Sequence, residues 1–179
     1  MRQFKQYDTS LGTQYHTQAS KLLERDYWLV TEPFVYTLAS GYYVTVPTGF
    51  LTDGASIPKA LWNMIPPWGD HGQAAVMHDY LCEHGSISNG YNRISVDRRF
   101  ADKAFVEGLT ALNVNPIKVK MMATGVNLYR KVTRPVTPNK ETFKDAIEKM
   151  IMSQYARTGS FVLNDAQIAS LNLTKQLGR

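Results

Sequence analysis

The 179-residue sequence has a single cysteine, no long apolar run and no long run of basic residues. The single cysteine, Cys82, excludes an intrachain disulfide and a zinc site built on several cysteines, and it suits a reducing cytoplasm. No stretch approaches the ~18 consecutive apolar residues of a membrane-spanning helix. The polar N-terminal segment lacks the apolar core of a signal peptide, so we expect no secretion signal there.

Two catalytic motifs are also absent: a glycine-rich phosphate-binding loop and the G-x-S-x-G turn that presents a nucleophilic serine. The formal net charge of +5 permits an acidic partner such as nucleic acid or a phospholipid surface. Because the basic residues are scattered, an ordinary solvated surface accounts for this charge, and we do not expect nucleic acid to be the main partner. Apolar residues make up 44% of the chain, which favours a folded globular protein over a disordered one.

The order of local patterns predicts an α+β fold, with a small N-terminal antiparallel sheet followed by a helical core of three to four helices and a helical C-terminal extension. Aromatic and β-branched segments bounded by proline or glycine predict two or three antiparallel strands, over residues 26–31, 34–38 and 41–46. Helical periodicity predicts helices over residues 58–65, 70–83, 96–112, 117–132, 140–155 and 164–173. The expected N-caps are Ser56, Ser95 and Asn164. The turn-rich residues 86–94 predict a loop.

Proline spacing also predicts a division of the chain. Pro135 and Pro138 lie close together after the fourth core helix and indicate a linker. We therefore expect an extended or loosely packed N-terminal arm over residues 1–24, an α+β domain over 25–134, and a linker with a helical extension over 135–179.

A histidine and a carboxylate stand side by side in the second predicted helix. Adjacent helical residues point about 100° apart, so His78 and Asp79 serve different neighbours. Asp102 lies 24 positions beyond His78 in an apolar stretch of the next helix, and a returning helix would bring the two side chains together. A buried carboxylate needs a hydrogen-bond donor, and His78 is the expected one. Asp102 would then fix the imidazole tautomer, whereas a salt bridge to Arg98 or Arg99 would make Asp102 purely structural.

Asp53 and Cys82 each have two interpretations. Asp53, followed by Gly54, fits an Asx-turn that leads into the Ser56 cap. It also fits an oxygen ligand to a hard cation shared with Asp79. Cys82 lies one turn after His78, and we interpret it as a small buried apolar residue rather than a nucleophile.

Zinc is a further alternative for the second helix. His71, His78 and His84 are separated by 7 and 6 residues, which does not match the one-turn spacing of helical zinc ligands. We therefore do not expect zinc.

Five stretches of the sequence resemble, in the same order, the DUF1353 family of small proteins without an assigned function, which are common in tailed phages and prophages. They are GFLTDGASIP (49–58), IPPWG (65–69), AAVMHDYLC (74–82), RRFADKAF (98–105) and LNVNPIKVKMMATGVNLYR (112–130). The resemblance covers residues 42–132, and Cys82 replaces the tyrosine of the family's usual HDxLY pattern. It implies a phage context. We expect a virion-associated structural or accessory protein of the head–neck or tail, made in the host cytoplasm. The expected partners are other virion proteins, with identical copies in a ring as a further alternative.

A second likeness implies chemistry. The His78–Asp79 pair, followed by an R-x-x-A-D-x-x-F helix, is similar to prokaryotic phospholipase A2. The likeness implies that His78 is the general base, Asp102 the carboxylate that orients it, and Asp79 a Ca²⁺ ligand. Asp53 stays a further candidate ligand on its local sequence pattern alone. The glycine-rich calcium loop and both disulfides of that family lack equivalents here. The alternative function is therefore a calcium-assisted hydrolase of phospholipid or another ester. Both an enzymatic and a structural role are consistent with His78, Asp79 and Asp102.

Overall fold

The computed structural model describes residues 6–54, 66, 68–132 and 142–177. The strands within these ranges are β1 (Thr13–Tyr15), β2 (Trp28–Val30), β3 (Phe34–Thr37), β4 (Tyr43–Val46), β5 (Leu51–Thr52), β6 (Ser86–Ser88) and β7 (Arg93–Ser95). The helices are α1 (Thr17–Leu23), α2 (Gly72–His84), α3 (Arg98–Ala111), α4 (Pro116–Val132), α5 (Phe143–Thr158) and α6 (Asp165–Leu177). The predicted helix over 58–65 with its Ser56 cap, and the predicted linker, lie outside the described residues. No helix in the described ranges is both long and apolar enough to cross a membrane.

The strands form two antiparallel sheets, and the predicted α+β class is confirmed. One sheet has the order β1-β2-β5 and the other the order β3-β4-β6-β7. In the second sheet Tyr36 pairs with Val44 and Ile87 with Ile94. The predicted strands correspond to β2, β3 and β4, because short β-branched and aromatic segments between breakers favour paired, half-buried backbone.

The predicted loop over residues 86–94 is wrong, because this segment contains the β6–β7 hairpin. The turn residues occupy only its tip, where the Asn89 side chain accepts hydrogen bonds from the backbone N–H groups of Tyr91 and Asn92. Each flanking strand has three residues and a single isoleucine, which is too short for the alternation that signals a strand to be recognised. Ser95 consequently lies in β7, and Asp97 caps α3 by accepting from Phe100 N at 2.8 Å.

Packing divides the chain into two compact units, each assembled from separate segments. The first unit comprises residues 6–11, 33–46 and the described part of 54–138. On its sheet Phe34 and Tyr36 are fully buried, and Tyr36 donates a 3.0 Å hydrogen bond to the Glu107 carboxylate on α3. Its helices share a cluster of buried side chains formed by Ala74, Ala75, Phe105, Leu109, Val114 and Met122.

The second unit comprises residues 12–32, 47–53 and the described part of 139–179. Its core joins α1, β2 and β5 to α5 and α6 through Ala19, Leu22, Leu29, Leu51, Ile147, Ile151, Leu163 and Leu171. Gln18 on α1 exchanges two 2.8 Å hydrogen bonds with the backbone of Leu163. Residues 13–23, predicted to be extended or loosely packed, form β1 and α1, and α1 packs into this core through Ala19 and Leu22. The segment boundaries at residues 24 and 134 stay a prediction.

Two predicted helix ends are confirmed. Gly85 ends α2 in the left-handed conformation, with φ of 52°, and its N–H bonds to Leu81 O. Asn164 precedes α6, and its side chain accepts from Gln167 N at 2.9 Å.

Candidate functional site

The α2–α3 pair of the first unit brings His78 and Asp102 together, as the sequence predicts. His78 Nε2 lies 3.0 Å from Asp102 Oδ1. In the sequence of α2, His78 comes directly after the buried residues Ala74–Met77. Asp102 lies on the buried face of α3, where the neighbouring buried side chains are apolar. The catalytic roles of the two residues stay a prediction, but their hydrogen bond is present.

The second oxygen of Asp102 has a partner that sequence reasoning missed. Arg130 on α4 donates from Nε to Asp102 Oδ2 at 2.6 Å. The prediction named Arg98 and Arg99 as salt-bridge alternatives because they are close in sequence, whereas Arg130 lies 28 positions away. A signal was available: Arg130 follows Val126 by four residues, and Val126 packs against the α2–α3 core. A cation on the inward side of an amphipathic helix indicates a buried carboxylate partner.

Asp102 is held in its ionised form by these two partners. Its side chain is only 10% exposed, and burial raises the pKa of the carboxyl group. The hydrogen bonds and positive charges of His78 and Arg130 together outweigh burial and leave the pKa of Asp102 below its usual value. At neutral pH the centre therefore contains a carboxylate whose two oxygens both accept hydrogen bonds.

This ionisation fixes the tautomer of His78. A carboxylate can only accept, so Nε2 must carry the proton in the bond to Asp102. In the neutral imidazole Nδ1 then keeps its lone pair and can act as a base. The ring lies 4.9 Å from the Phe105 ring, centroid to centroid, and the side chain is 15% exposed. The imidazole of His78 is thus oriented by Asp102 and by the Phe105 ring, and part of the side chain remains accessible to solvent.

Cys82 completes the cluster without acting as a nucleophile. Its Sγ lies 3.6 Å from His78 Nε2. Burial raises the pKa of the Cys82 thiol to about 12, and the positive charge of Arg98 offsets only part of this rise. Because Nε2 is the protonated nitrogen, it cannot take the thiol proton. The geometry supports the interpretation of Cys82 as a packing residue.

The two predicted metal ligands belong to different units. Asp79 lies partly buried on α2 of the first unit, whereas Asp53 belongs to the second unit. Asp53 forms a salt bridge with Arg25, in which Oδ2 of Asp53 lies 2.5 Å from Nη2 of Arg25. Within the described ranges, no three His, Cys, Asp or Glu side chains gather as a group that could hold a metal. The assignment of Ca²⁺ to Asp79 and Asp53 stays a prediction.

A groove of about 370 Å³ between α3 and α4 reaches the other side of Asp102. Its lining includes the cations Arg99, Lys103 and Arg130, with Ala123 and Asn127 from α4. Asn127 accepts a hydrogen bond from Arg130, which holds the guanidinium against the carboxylate. The groove is therefore positively charged and has Asp102 in its wall.

Residues 28–126 match the sequence profile of a family described as "Protein of unknown function (DUF1353)". The chain belongs to the DUF1353 family. The match includes α2 and α3, so His78, Asp79 and Asp102 all lie within the DUF1353 region, while Arg130 lies four residues beyond it. The predicted resemblance to DUF1353 is confirmed.

A relative of this DUF1353 chain is the uncharacterized protein y4jT of Sinorhizobium fredii (strain NBRC 101917 / NGR234). The two are 34% identical over 102 residues, which is 56% of this chain and 28% of the relative. The chain therefore aligns with less than a third of that relative's length. No solved structure matches the DUF1353 chain, and the likeness to phospholipase A2 rests on the sequence motifs alone.

Proposed function

We propose that the protein is a hydrolase in which His78 activates a water molecule for attack on an ester. The supporting observation is the 3.0 Å hydrogen bond between His78 Nε2 and an ionised Asp102. His78 Nδ1 takes a proton from the water as its oxygen bonds to the ester carbonyl carbon. The imidazolium then returns this proton to the leaving alkoxide as the ester bond breaks. Asp102 stabilises the imidazolium, and Arg130 keeps Asp102 in place.

An ester-hydrolysis assay of purified protein tests this role, with a soluble aryl ester and a phospholipid as substrates. His78→Ala should lower kcat at least about 100-fold, because it removes the base. Asp102→Asn should lower kcat less, because the imidazole remains but loses its orientation. His84→Ala is the matched control, since it removes an exposed imidazole from the same helix.

Thermal melts of the same variants separate catalysis from folding. A His78→Ala variant that melts near the wild-type temperature but is inactive supports the proposal. Wild-type protein that hydrolyses neither substrate, with a His78→Ala variant that only melts lower, makes the His78–Asp102–Arg130 network a packing device.

The prediction that Asp79 is a Ca²⁺ ligand has a separate test. Calorimetric titration with Ca²⁺ compares the wild type with Asp79→Asn, and melts with and without Ca²⁺ run in parallel. Binding and Ca²⁺-dependent stabilisation that are lost in Asp79→Asn would support Asp79 as a ligand. A wild type that neither binds Ca²⁺ nor melts higher in its presence would contradict it.

A second candidate function is that of a virion-associated protein of the phage head–neck or tail, and it is compatible with the first. The observation that favours it is the second unit, because α1, α5 and α6 lie outside the DUF1353 match. The second unit has its own core, formed by these added helices together with β2 and β5 from the DUF1353 region. It leaves Leu173 and Leu177 exposed at 56% and 78%, as a docking surface would. Other virion proteins, or identical copies in a ring, are the proposed partners.

Purified particles of the encoding phage or prophage provide the test. Mass spectrometry should find the protein in particles at a fixed ratio to the other virion proteins. Its presence in the lysate together with its absence from particles would exclude the virion role.

A further inference from the structure

The outward face of α4 carries a row of exposed aliphatic side chains. Ile117, Leu128 and Val132 are exposed at 70%, 60% and 72%. Ile117 and Leu128 are 11 residues apart, about three helical turns, and Val132 follows Leu128 by one turn, so the three share one side of the helix. We call Ile117, Leu128 and Val132 the α4 apolar row.

This row is distinct from the side of α4 that forms the core. Val119, Met122 and Val126 pack into the cluster shared with α2 and α3. Met121 lies on the side of the apolar row and is partly buried against the edge of the same cluster. The three members of the α4 apolar row extend beyond this edge, and folding of the described residues leaves them in water. Three large aliphatic side chains on one exposed face indicate a surface that another phase or molecule covers.

A row of lysines runs beside the apolar row. Lys120 and Lys131 each follow a member of that row by three residues, which places them about 60° around the helix from it. The sequence of α4, PIKVKMMATGVNLYRKV, contains no carboxylate. Among the described residues, no acidic side chain forms a salt bridge with Lys120 or Lys131, whereas Lys118 lies 3.6 Å from Asp70. Long lysine side chains beside aliphatic ones can keep their charge in the headgroup layer while their stems remain apolar.

We infer that α4 docks on the surface of a bilayer that contains anionic phospholipids, with its axis in the plane of the membrane. The apolar row enters the boundary between headgroups and acyl chains, and Lys120 and Lys131 contact lipid phosphates. This inference does not depend on hydrolysis at His78.

Other occupants fit the two rows less well. A symmetric pair of identical copies would bring uncompensated lysines from both α4 helices into one interface, where they repel. A nucleic acid would neutralise the lysines but leave the aliphatic row in water. An acidic protein surface would neutralise Lys120 and Lys131 as well. Vesicle flotation distinguishes this occupant from a bilayer.

Vesicle flotation of the full chain tests the inference. The vesicles contain phosphatidylcholine alone or equimolar phosphatidylcholine and phosphatidylglycerol. The wild type should float with the anionic vesicles and remain unbound with the neutral ones. Lys120→Glu/Lys131→Glu should weaken binding by at least about 25-fold, since each lysine contributes about fivefold to binding at an anionic surface.

The apolar row has its own variant. Leu128→Ser/Val132→Ser should also lose binding, because insertion between headgroups requires aliphatic surface. Lys21→Glu and Leu173→Ser are matched controls in the second unit and should bind as the wild type does. Hydrolysis of a soluble ester by all these variants should equal that of the wild type, which keeps this test separate from that of His78.

Three outcomes would overturn the inference. One is no flotation of the wild type with anionic vesicles. Another is flotation that the Leu128→Ser/Val132→Ser variant retains in full, which would indicate a purely electrostatic surface for an acidic protein or nucleic acid. The third is an equal loss of flotation in the Lys21→Glu and Leu173→Ser controls, which would show that binding is not a property of α4.

Discussion

Asp102 is the residue on which the candidate site depends, because one carboxylate serves two donors on two other helices. His78 of α2 bonds to one oxygen and Arg130 of α4 to the other. Both contacts are largely shielded from water, so each donor would be left poorly solvated without the carboxylate. The same residue thereby fixes a tautomer and ties three helices together.

Replacement of this carboxylate should destabilise the fold. Asp102→Asn keeps the shape of the side chain but turns one of its two acceptors into a donor that faces His78 or Arg130. We expect a loss of about 2 kcal/mol in the free energy of unfolding, less than for a fully buried ion pair because Arg130 is 26% exposed. Urea denaturation measures the loss, and exposed Lys103→Gln on the same helix should change it by less than about 0.5 kcal/mol. Equal effects of the two variants would contradict the prediction.

The contribution of Asp102 to stability should depend on pH. Its pKa in the folded protein lies below the unfolded value of about 3.9. The unfolded state therefore takes up this proton first, so the stabilisation is complete above about pH 4 and is lost as the pH falls through the folded pKa. The difference in unfolding free energy between wild type and Asp102→Asn should shrink as the pH falls from about 4 into more acidic solution. A difference that does not change down to acid pH would contradict an ionised Asp102.

Cys82 should be unreactive while the protein is folded. Its thiol, with a pKa raised to about 12, is almost entirely protonated at pH 8, and thiolate is the form that reacts. Iodoacetamide should label Cys82 far more slowly in native protein than in urea-unfolded protein. Rapid labelling in the native state would show that the thiol is activated and would reopen the nucleophile interpretation.

At the scale of the element, two glycines of the helical core have opposite requirements. Gly85 ends α2 with φ of 52°, and a Cβ there would lie 3.0 Å from Val96 O. Gly125 lies within α4, where a Cβ would meet no other atom within 4 Å. Glycine is required at position 85 because the backbone there is left-handed. At position 125 glycine serves no such need and only lowers the stability of α4.

The same substitution at these two positions should therefore change stability in opposite directions. Gly85→Ala should lower the free energy of unfolding by about 1 kcal/mol, since alanine is strained in the left-handed conformation. Gly125→Ala should raise it by about 0.5–1 kcal/mol through helix propensity. Thermal denaturation of the two variants checks both signs. A destabilised Gly125→Ala would show that this position is covered in solution.

Most elements follow from local sequence, whereas their contacts do not. The helices around His78 and Asp102 were predictable because apolar side chains recur at helical spacing. The β6–β7 hairpin was not, because its strands are short and paired only through each other and β4. Helix α1 was also missed, since its Thr, Gln and Ser residues give little periodicity and only its contact with distant helices identifies its buried face.

At the scale of the whole molecule, the second unit is built from segments far apart in the chain. Ile147 and Ile151 of α5 are fully buried in a core that they share with Ala19 and Leu22 of α1. Helix α1 has only seven residues, which is too short to be stable alone. Its stability must come from this packing.

A cavity in α5 should consequently loosen α1. Ile151→Ala should lower the free energy of unfolding of this unit by about 3 kcal/mol and speed amide hydrogen exchange in residues 17–23. Leu173→Ala, which removes an exposed side chain, should change neither quantity. Hydrogen exchange read by mass spectrometry makes the comparison, and unchanged exchange in residues 17–23 of Ile151→Ala would contradict the shared core.

The sequence by itself determined the α+β class, the positions of most helices, the family membership and the pairing of His78 with Asp102. These depend on local periodicity, on motif order and on the cost of burying a lone carboxylate. Only the tertiary structure decided that Arg130 binds the second oxygen of Asp102, that Asp53 pairs with Arg25, and that the N-terminal segment shares a core with α5 and α6. Each of these contacts joins residues that no local pattern relates, so the packing of whole elements selects the partners.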